Sequence, residues 1–554
     1  MTRSLITLII IMMNSPLAIA DSQQHVAKII FDNQAQMNLV NSRLTPLNEQ
    51  EGLFGFYKVN QSDFVSLDSL GIAYEKVTDR EPFVPAEAEL DSFFYTYDKM
   101  VDSLTTWATR YSQIAHVETI GTSQQEYRLM YAIKISDSVD VDDDEPVIYF
   151  DGTHHACEIM GMEICMALAE TLLTNYGHQQ AITNIVDSNQ IWIVPLVNPD
   201  GNSAVHAGID LNYRKNGRDL DNDGILYEYD CNDSWTCSTE GVDLNRNYDW
   251  YWSSDGSSVP MNYYYRGDAP GSESEIQAIM SLVGIIRPVI ALSYHSWGEV
   301  VVYPWDVSSG LAMPDTAVMR SIVTNLSNRI PSESGGRYSP SLANGRSGMN
   351  LNWQYARYGT ISMSPETVAY PDFIPGSEGR RDSIISANLQ GVFWLISRAH
   401  GSQITGRVTD RATGAPLVAE VRVLQAYSNQ VDPRITEPIH GRYRHLLNAR
   451  TYTVQAIYGD SVQTFNNVVV QTGVPAVLDI QFGPDFIPGD ANGNGTLNGL
   501  DVVYLVNYFI GRGPAPNPLL RGDANGDCFT NGLDIVYLVN YFKGSGPAPL
   551  HCAR

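Results

Sequence analysis

The feature that most constrains how this chain can fold is the segment DGTHHACE, residues 151–158. It follows an apolar run of strand length, residues 146–150, and precedes residues 159–173, which are predicted to form a helix. His155 and Glu158 are three residues apart, so in a helical or near-helical turn their side chains share one face. An imidazole and a carboxylate on one face can bind a divalent metal, although a lone HxxE pattern is more often an ordinary polar turn.

Two later apolar runs also end in residues that can bind a metal or move a proton. Residues 288–294 lead into His295, and residues 359–364 lead into Glu366. Apolar runs that alternate with helix-length segments favour parallel strands of an α/β sheet, and ligands of such sheets bind beyond the carboxyl ends of the strands. We therefore expect His155, His295 and Glu366 in one crevice, with zinc as the metal.

Five motifs, in the same order, resemble those of the zinc carboxypeptidase family (carboxypeptidases A, B and T). They are HHACE, YRKN at 213–216, GVDLNRN at 241–247, YHS at 294–296, and LNWQY at 351–355, whose Trp353 lies thirteen residues before Glu366. The resemblance spans residues 95 to about 400 and includes an opening helix and first strands at residues 96–136. It implies an α/β/α catalytic domain over residues 90–401, with a mixed, largely parallel sheet and one catalytic Zn²⁺.

The resemblance also implies a role for each matching residue. The zinc ligands are His155, Glu158 and His295, the general base is Glu366, the oxyanion-stabilising residue is Arg214, the residues that bind the terminal carboxylate are Asn245 and Arg246, the acid that orients His155 is Asp243, and a residue of the specificity pocket is Leu351. Asp243 is alternatively a helix or turn cap. Leu351 predicts a preference for apolar C-terminal residues.

The chain departs from the family pattern at two positions. Cys157 stands between the metal-binding His and Glu, where the family often has Arg, and its thiol is expected to pack as a small buried hydrophobe rather than to bind zinc. Asn344 stands where the family has a mobile tyrosine, and Tyr338 is the alternative if the loop is shorter.

The remaining features before the catalytic domain indicate an exported protein. Residues 1–20 resemble a secretory signal peptide, with Arg3, an apolar core and an Ala18-Ile19-Ala20 cleavage site. Residues 21–85 form an N-terminal α+β pro-domain-like segment, either an inhibitory propeptide or a permanently attached folding domain, followed by the linker TDREPFVPAEAE.

The formal net charge of −27 makes nucleic acid an unsuitable partner.

A calcium loop and a disulfide are predicted inside the catalytic domain. Acidic residues recur at calcium-loop spacing at Asp219, Asp221, Asp223 and Asp230, with the alternative of a solvated acidic loop. In an exported chain, Cys231 and Cys237 favour a local disulfide, and Cys528 and Cys552 a second one.

The C-terminal part contains two further modules. Residues 402–484 show short alternating strands that predict a small β-sandwich, and they resemble the transthyretin-like module that follows some carboxypeptidases. Residues 487–554 hold two repeats at an offset of 33 residues, which resemble a dockerin, a small calcium-loop helical domain that binds a cohesin. The calcium-binding residues expected in the repeats are Asp490, Asn492, Asn494, Asn498, Asp501, Asp523, Asn525, Asp527, Asn531 and Asp534. Alternatively, the apolar stripes of the repeat helices pack on the β-sandwich.

These features predict a secreted zinc metallocarboxypeptidase that acts on peptides or proteins and has no membrane span. One alternative is a related zinc peptidase that acts on peptidoglycan stem peptides. The other is a non-catalytic scaffold or adhesion protein anchored through the dockerin-like tail.

Overall fold

The computed structural model describes residues 25–47, 53–77, 90, 92–227, 240–254, 256–304, 313–343 and 348–552. These residues fall into two compact units, 1–80 and 81–554, which are described separately. The expected signal peptide, the linker at 78–89, Asp230, the pair Cys231 and Cys237, and Asn344 lie outside the described residues.

The first unit is a small α+β fold. It runs β1 (His25–Ile30), α1 (Gln34–Asn41), β2 (Phe54–Val59), α2 (Gln61–Leu70) and β3 (Ala73–Val77), with β1 in the middle of an antiparallel sheet. Asn60 and Asp63 form a capping box at the start of α2, and Gly71 ends that helix at φ +66°. Phe56, Tyr57 and Phe64 are buried in its core. The expected α+β class is confirmed for this unit.

An eight-stranded mixed sheet forms the centre of the second unit. Its strands are β4 (Ala115–Thr122), β5 (Leu129–Ile135), β6 (Val147–Gly152), β7 (Gln190–Val194), β8 (Ile290–Ser296), β9 (Val300–Tyr303), β10 (Ser339–Leu342) and β11 (Ile361–Thr367). The strand order is β10-β9-β11-β8-β6-β7-β5-β4. The four central strands, β11, β8, β6 and β7, are mutually parallel, while β9, β5 and β4 join antiparallel. This confirms the mixed, largely parallel sheet.

Helices cover both faces of this sheet. They are α3 (Tyr97–Arg110), α4 (Met160–Asn175), α5 (Gln180–Val186), α6 (Pro199–His206), α7 (Ser274–Ile286), α8 (Thr316–Ser327), α9 (Asn350–Tyr358) and α10 (Glu378–Arg398). Helix α4 packs on β6 and β8 and against α10, and most of its side chains are buried. On the opposite face, Tyr149 of β6 shares a core with Ile279 of α7 and Trp353 of α9. The α/β/α layering is thus confirmed.

The segment after α10 is a β-sandwich. One sheet contains β14 (Arg442–Leu446), β12 (Gln403–Asp410), β17 (Pro475–Val477) and β18 (Ile480–Phe482), and the other contains β13 (Glu420–Val423), β15 (Arg450–Tyr458) and β16 (Ser461–Val470). The two sheets share one apolar core. Strand β14 was not predicted from the sequence, because arginines alternate with its buried residues.

Those arginines connect the β-sandwich to the α/β/α part of the same unit. Asp144, in the loop before β6, pairs with Arg407, Arg442 and Arg444. Burial would raise the pKa of Asp144, but the arginines lower it to about 2. The Asp144 carboxylate is therefore ionised at neutral pH. It forms ion pairs with three arginines of the β-sandwich.

The last module contains two equivalent helices, α11 (Gly499–Phe509) and α12 (Gly532–Phe542). Leu505 and Leu538 are buried between them with Ala491 and Ala524. The hydroxyls of Tyr504 and Tyr537 donate to the carbonyls of Ala515 and Ala548 in the GPAP segments, at 3.3 and 3.0 Å. Among the described residues, no helix is both long and apolar enough to cross a membrane.

The buried Glu275 gives the fold a testable pH dependence. Burial raises the pKa of its carboxyl from 4.5 to about 8, while Gln124 donates its backbone amide to it at 3.0 Å. Between these two pH values the folded chain holds a proton that the unfolded chain has lost, so the stabilising contribution present at low pH is lost as pH rises towards 8. We expect Glu275→Gln to remove this loss, which is roughly 3–4 kcal/mol between pH 5 and pH 8. The free energy of unfolding, measured with urea at pH 5 and at pH 8, tests this expectation. Parallel pH profiles for wild type and Glu275→Gln, with exposed Glu170→Gln as control, would contradict the assignment.

Candidate active site

Three buried side chains converge in the crevice at the carboxyl ends of β6 and β8. His155 Nδ1 lies 2.7 Å from Glu158 Oε1, His295 Nδ1 lies 2.8 Å from Glu158 Oε2, and the two Nδ1 atoms are 3.2 Å apart. All three side chains are at most 1 % exposed. Burial would raise the pKa of Glu158, but the two histidines lower it, so the carboxylate is ionised.

A tight turn after β6 presents His155 and Glu158 on one side. The Glu158 amide donates to the His155 carbonyl at 3.1 Å, and the Thr153 hydroxyl donates to the Glu158 carbonyl at 3.3 Å. Gly152 and Gly161 allow the strand end and helix start to meet, since a Cβ on Gly152 would lie 2.4 Å from the Gly161 carbonyl carbon. The sequence therefore places both ligands where β6 passes into α4.

The register of β8 and β11 positions the predicted base. Glu366 pairs directly with His295 across these parallel strands, and Thr367 pairs with Ser296. Paired residues of neighbouring strands project to the same face, so Glu366 and His295 share one side of the sheet. Glu366 is 3 % exposed.

Asp243 links several of these groups. Its Oδ1 lies 3.3 Å from His155 Nε2 and accepts the Asn245 amide at 3.0 Å, and its Oδ2 accepts Arg214 Nε at 2.9 Å. Burial would raise the pKa of Asp243, but the charges of Arg214 and Arg246 and the contact with His155 lower it well below its usual range. An ionised Asp243 favours a proton on His155 Nε2, which leaves Nδ1 free to coordinate a metal.

The segment around Arg214 lies against the turn that carries His155. The backbone amides of Ala156 and Cys157 donate to the carbonyls of Arg214 and Tyr213, at 3.1 and 2.8 Å. Arg214 Nη1 lies 3.9 Å from Glu158 Oε1. The guanidinium of Arg214 therefore projects from the same small region as the predicted metal ligands.

Asn245 and Arg246 occupy a short 3₁₀ turn, Leu244–Arg246, that begins at Asp243. The Asn245 amide group lies 3.3 Å from His295 Nε2, and Asn245 Oδ1 accepts the Asn350 backbone amide at 2.9 Å. Arg246 is fully buried, and its Nη1 donates to the Asn245 carbonyl at 2.9 Å. Leu351 follows Asn350 in helix α9, and its side chain is also fully buried.

Two tyrosines that the sequence analysis did not identify lie against Arg214, and one of them also lies against Arg246. The Arg214 guanidinium lies 5.2 Å from the ring centroid of Tyr263 and 4.9 Å from that of Tyr264, and Arg246 lies 5.4 Å from Tyr264. Such contacts fix a guanidinium in a cation–π arrangement. No local pattern distinguishes these residues within NYYYR, so only the folded chain reveals them.

The structure describes Cys157 and also Tyr338, the alternative to the family's mobile tyrosine. Cys157 is buried as a free thiol, and burial raises its pKa well above the usual value, so it packs as a neutral hydrophobe. Tyr338 is 3 % exposed and its hydroxyl lies 3.5 Å from the Asn388 amide group of α10.

The predicted calcium residues also form compact groups. Asp219, Asp221 and Asp223 can bring ligand oxygens within 4.8 Å of one another. In the repeats, the buried acids Asp490, Asp501, Asp523 and Asp534 accept backbone amides of their own loops. Cys528 and Cys552 form a disulfide with a Cα–Cα distance of 4.9 Å, so their sulfurs do not bind a metal with Asp523.

The donor set at His155, Glu158 and His295 fits zinc. Two imidazole nitrogens and one carboxylate are the protein ligands of a catalytic zinc centre, and their ligand atoms lie within 4.8 Å of one another. Two imidazole nitrogens only 3.2 Å apart beside a shared carboxylate are the arrangement expected around a common cation.

Comparison with known proteins agrees with this geometry. Residues 100–375 match the zinc carboxypeptidase family model, and residues 488–543 match the dockerin type I domain. A zinc carboxypeptidase of Saccharothrix mutabilis subsp. capreolus is 25 % identical over 315 residues, which are 54 % of this chain and 66 % of that protein. Metallocarboxypeptidase A of Trichophyton tonsurans is 34 % identical over 181 residues, 31 % of this chain and 39 % of the relative. The chain thus spans less than two thirds of the length of these relatives.

The crystal structure of thrombin activatable fibrinolysis inhibitor aligns with 68 % of this chain and 98 % of its own, at 20 % identity and a TM-score of 0.49. The motif order, the converging site and the two family matches lead to the same conclusion. Residues 100–375 of this chain are a zinc carboxypeptidase family domain, and residues 488–543 are a dockerin type I domain.

Proposed function

We propose that the protein is a secreted zinc-dependent metallocarboxypeptidase that hydrolyses the C-terminal peptide bond of peptides or proteins. The observation that carries this proposal is the convergence of His155, Glu158 and His295, with Glu366 opposite His295 on the next strand. Binding alone would require neither an intact ligand set nor a base, so this arrangement supports an enzyme over a scaffold.

The proposed chemistry assigns one role to each group around the metal. When bound by the three ligands, zinc supplies the Lewis acidity that polarises the scissile carbonyl and makes water nucleophilic near neutral pH. Glu366 accepts the proton of the attacking water and passes it to the leaving amine. Arg214 stabilises the negative charge that develops on the carbonyl oxygen.

Arg246 is proposed to make the enzyme an exopeptidase. A guanidinium matches a carboxylate in two-point contact, and only a chain end carries an α-carboxylate. Its buried position, its contact with Tyr264 and the adjacent Asn245 support a fixed orientation. A fixed guanidinium loses little entropy on binding and places the last peptide bond beside the metal.

Glu366→Gln tests the proposed base. The amide is nearly isosteric but does not accept a proton, so we expect kcat to fall at least about 100-fold while one zinc remains bound. Release of single C-terminal residues from blocked dipeptides, together with zinc analysis, measures both effects. Glu170→Gln, an exposed position on α4, serves as the control. Near-wild-type turnover by zinc-loaded Glu366→Gln would overturn the assigned role.

Leu351 is proposed to line the specificity pocket and to favour apolar C-terminal residues. In peptides that differ only in the last residue, we expect Leu or Phe to be released at least about tenfold faster than Lys or Arg, as one well-filled apolar contact can discriminate. Leu351→Asp is expected to narrow this ratio, whereas Leu129→Asp at an exposed position leaves it unchanged. Equal or faster release of Lys and Arg by the wild-type enzyme would contradict the proposal.

We further propose that calcium binds the two repeat loops and the loop at residues 219–224. In each repeat, two buried aspartates lie within one loop, Asp490 with Asp501 and Asp523 with Asp534, and burying such charges favours a cation between them. Burial raises the pKa of Asp501 and Asp523. Calcium in the third loop would stiffen the chain that follows Arg214.

Direct counting of bound calcium tests this proposal. We expect three Ca²⁺ per chain, falling to two in Asp534→Asn and to two in Asp221→Asn, with the thermal midpoint lowered when a calcium-selective chelator is added. Asp485→Asn, at a position whose side chain is 83 % exposed, is the control. Fewer than three Ca²⁺ in the wild-type chain, or a midpoint insensitive to the chelator, would contradict it.

The dockerin domain is proposed to anchor the enzyme to a cohesin-type partner outside the cell. Apolar residues repeat on the outer faces of both helices, with Leu500 and Val503 of α11 matching Leu533 and Val536 of α12. Their exposure of 53 % to 63 % leaves them available to a partner rather than to the β-sandwich. Export would use the signal peptide at residues 1–20, and the unit at residues 21–85 would act as a pro-domain.

A further inference from the structure

We propose that a cavity at the seam between the catalytic part and the β-sandwich is a binding site for a small tetrahedral oxyanion, sulfate or phosphate. The cavity has a volume of about 100 Å³. Its basic and acidic lining residues are five arginines, one histidine and one glutamate: Arg287, Arg357, Arg434, Arg442, Arg444, His445 and Glu437. Such a concentration of positive charge is unexpected in a chain with a formal net charge of −27.

Three of the five arginines already have carboxylate partners. Arg357 pairs with Asp249 and Asp432, and Arg442 and Arg444 pair with Asp144. The carboxylate of Glu437 accepts backbone amides of its own turn, including that of Arg442 at 2.9 Å. Burial and the nearby Arg434 lower the pKa of His445 to about 4, so this histidine is neutral at pH 7.

Arg287 and Arg434 lack such partners among the residues that the structure describes. Arg287 Nη1 donates to the Thr436 carbonyl at 3.1 Å, and Arg434 Nη1 donates to the Ala356 carbonyl at 3.1 Å. Arg434 Nη2 is buried and has no hydrogen-bond acceptor in this part of the chain. Burial raises the pKa of Asp315, and the charge of Arg434 partly offsets this rise. Asp315 Oδ2 accepts a hydrogen bond from the Tyr355 hydroxyl at 3.0 Å.

A bound oxyanion would give Arg287 and Arg434 a counter-charge and would give Arg434 Nη2 a hydrogen-bond acceptor. Leaving the buried Nη2 of Arg434 without an acceptor is costly, and guanidinium N–H groups match the oxygens of sulfate or phosphate in two-point contact. A single water needs roughly 10–15 Å³ of such space, so a cavity of about 100 Å³ has room for a five-atom anion.

The position of the two arginines gives the anion a structural role. Arg287 ends helix α7 of the catalytic part, whereas Arg434 belongs to the β-sandwich segment between β13 and β14. That segment also contacts the end of helix α9, where the Asp432 amide donates to the Ala356 carbonyl at 3.0 Å. A bound oxyanion would therefore bridge the two parts and hold the β-sandwich on the helix that carries Leu351.

Equilibrium dialysis of the full chain against radiolabelled sulfate, at constant ionic strength with chloride as the competing salt, tests the proposal. Direct binding is measured because sulfate also stabilises proteins non-specifically. Since the fully buried Arg246 could also bind an anion, the measurement is repeated in Arg246→Gln. We expect Arg246→Gln to bind one sulfate per chain. We expect this binding to be lost, or its affinity to fall at least tenfold, in Arg434→Gln and in Arg287→Gln.

Matched variants and ligands distinguish the outcomes. Arg329→Gln, whose arginine also donates only to non-acidic groups, is expected to bind sulfate like the wild type. Arg434→Lys keeps the charge without the two-point geometry and should bind with intermediate affinity. Phosphate should compete with sulfate, and acetate should compete at least tenfold less well. Unchanged binding in both Arg434→Gln and Arg287→Gln, loss of all binding in Arg246→Gln, or preference for acetate would each overturn the proposal.

Discussion

The pairing of β8 with β11 is the constraint on which the candidate site depends. It places Glu366 opposite His295, while the pairing of β6 with β8 brings the turn that carries His155 and Glu158 to the same end of the sheet. A slip of one residue would send these side chains to opposite faces. Because the strands are buried and covered by helices, the register is held by the whole core rather than by the polar residues themselves.

The polar groups, in turn, are held by mutual compensation of charge. Glu158 and Asp243 are buried carboxylates, and each stays ionised because arginines or the predicted metal-binding histidines lie beside it. Asp243 contacts His155, Arg214 and the Asn245 amide, so one residue orients a predicted metal ligand, the proposed oxyanion-binding group and the turn that carries Arg246. Removal of any one charge would leave its partners buried without compensation.

The sequence was sufficient for features defined by short-range patterns. The apolar runs predicted an α/β sheet, and the five ordered motifs and the repeat at an offset of 33 residues predicted the family and the dockerin domain through their resemblance to known families, as the structure and the comparisons confirm. Features formed by residues far apart in the chain could not be predicted. Asp144 meets Arg442 across 298 residues, and Tyr264 meets Arg214 and Arg246 only after the chain folds. Strand β14 escaped prediction because its arginines obscure its apolar alternation. The roles of individual site residues stay predictions that rest on this geometry.

The central claim is that a zinc centre and a carboxylate-binding arginine act on the free end of a peptide. The most direct measurement compares kcat/KM for a peptide with a free C-terminal carboxylate against the same peptide with a C-terminal amide, with and without a zinc chelator. The account predicts chelator-sensitive release of the last residue from the free acid and a decrease of at least about 100-fold for the amide, as expected when a charged contact is lost. Equal cleavage of both peptides, or cleavage that persists after zinc is removed, would contradict it.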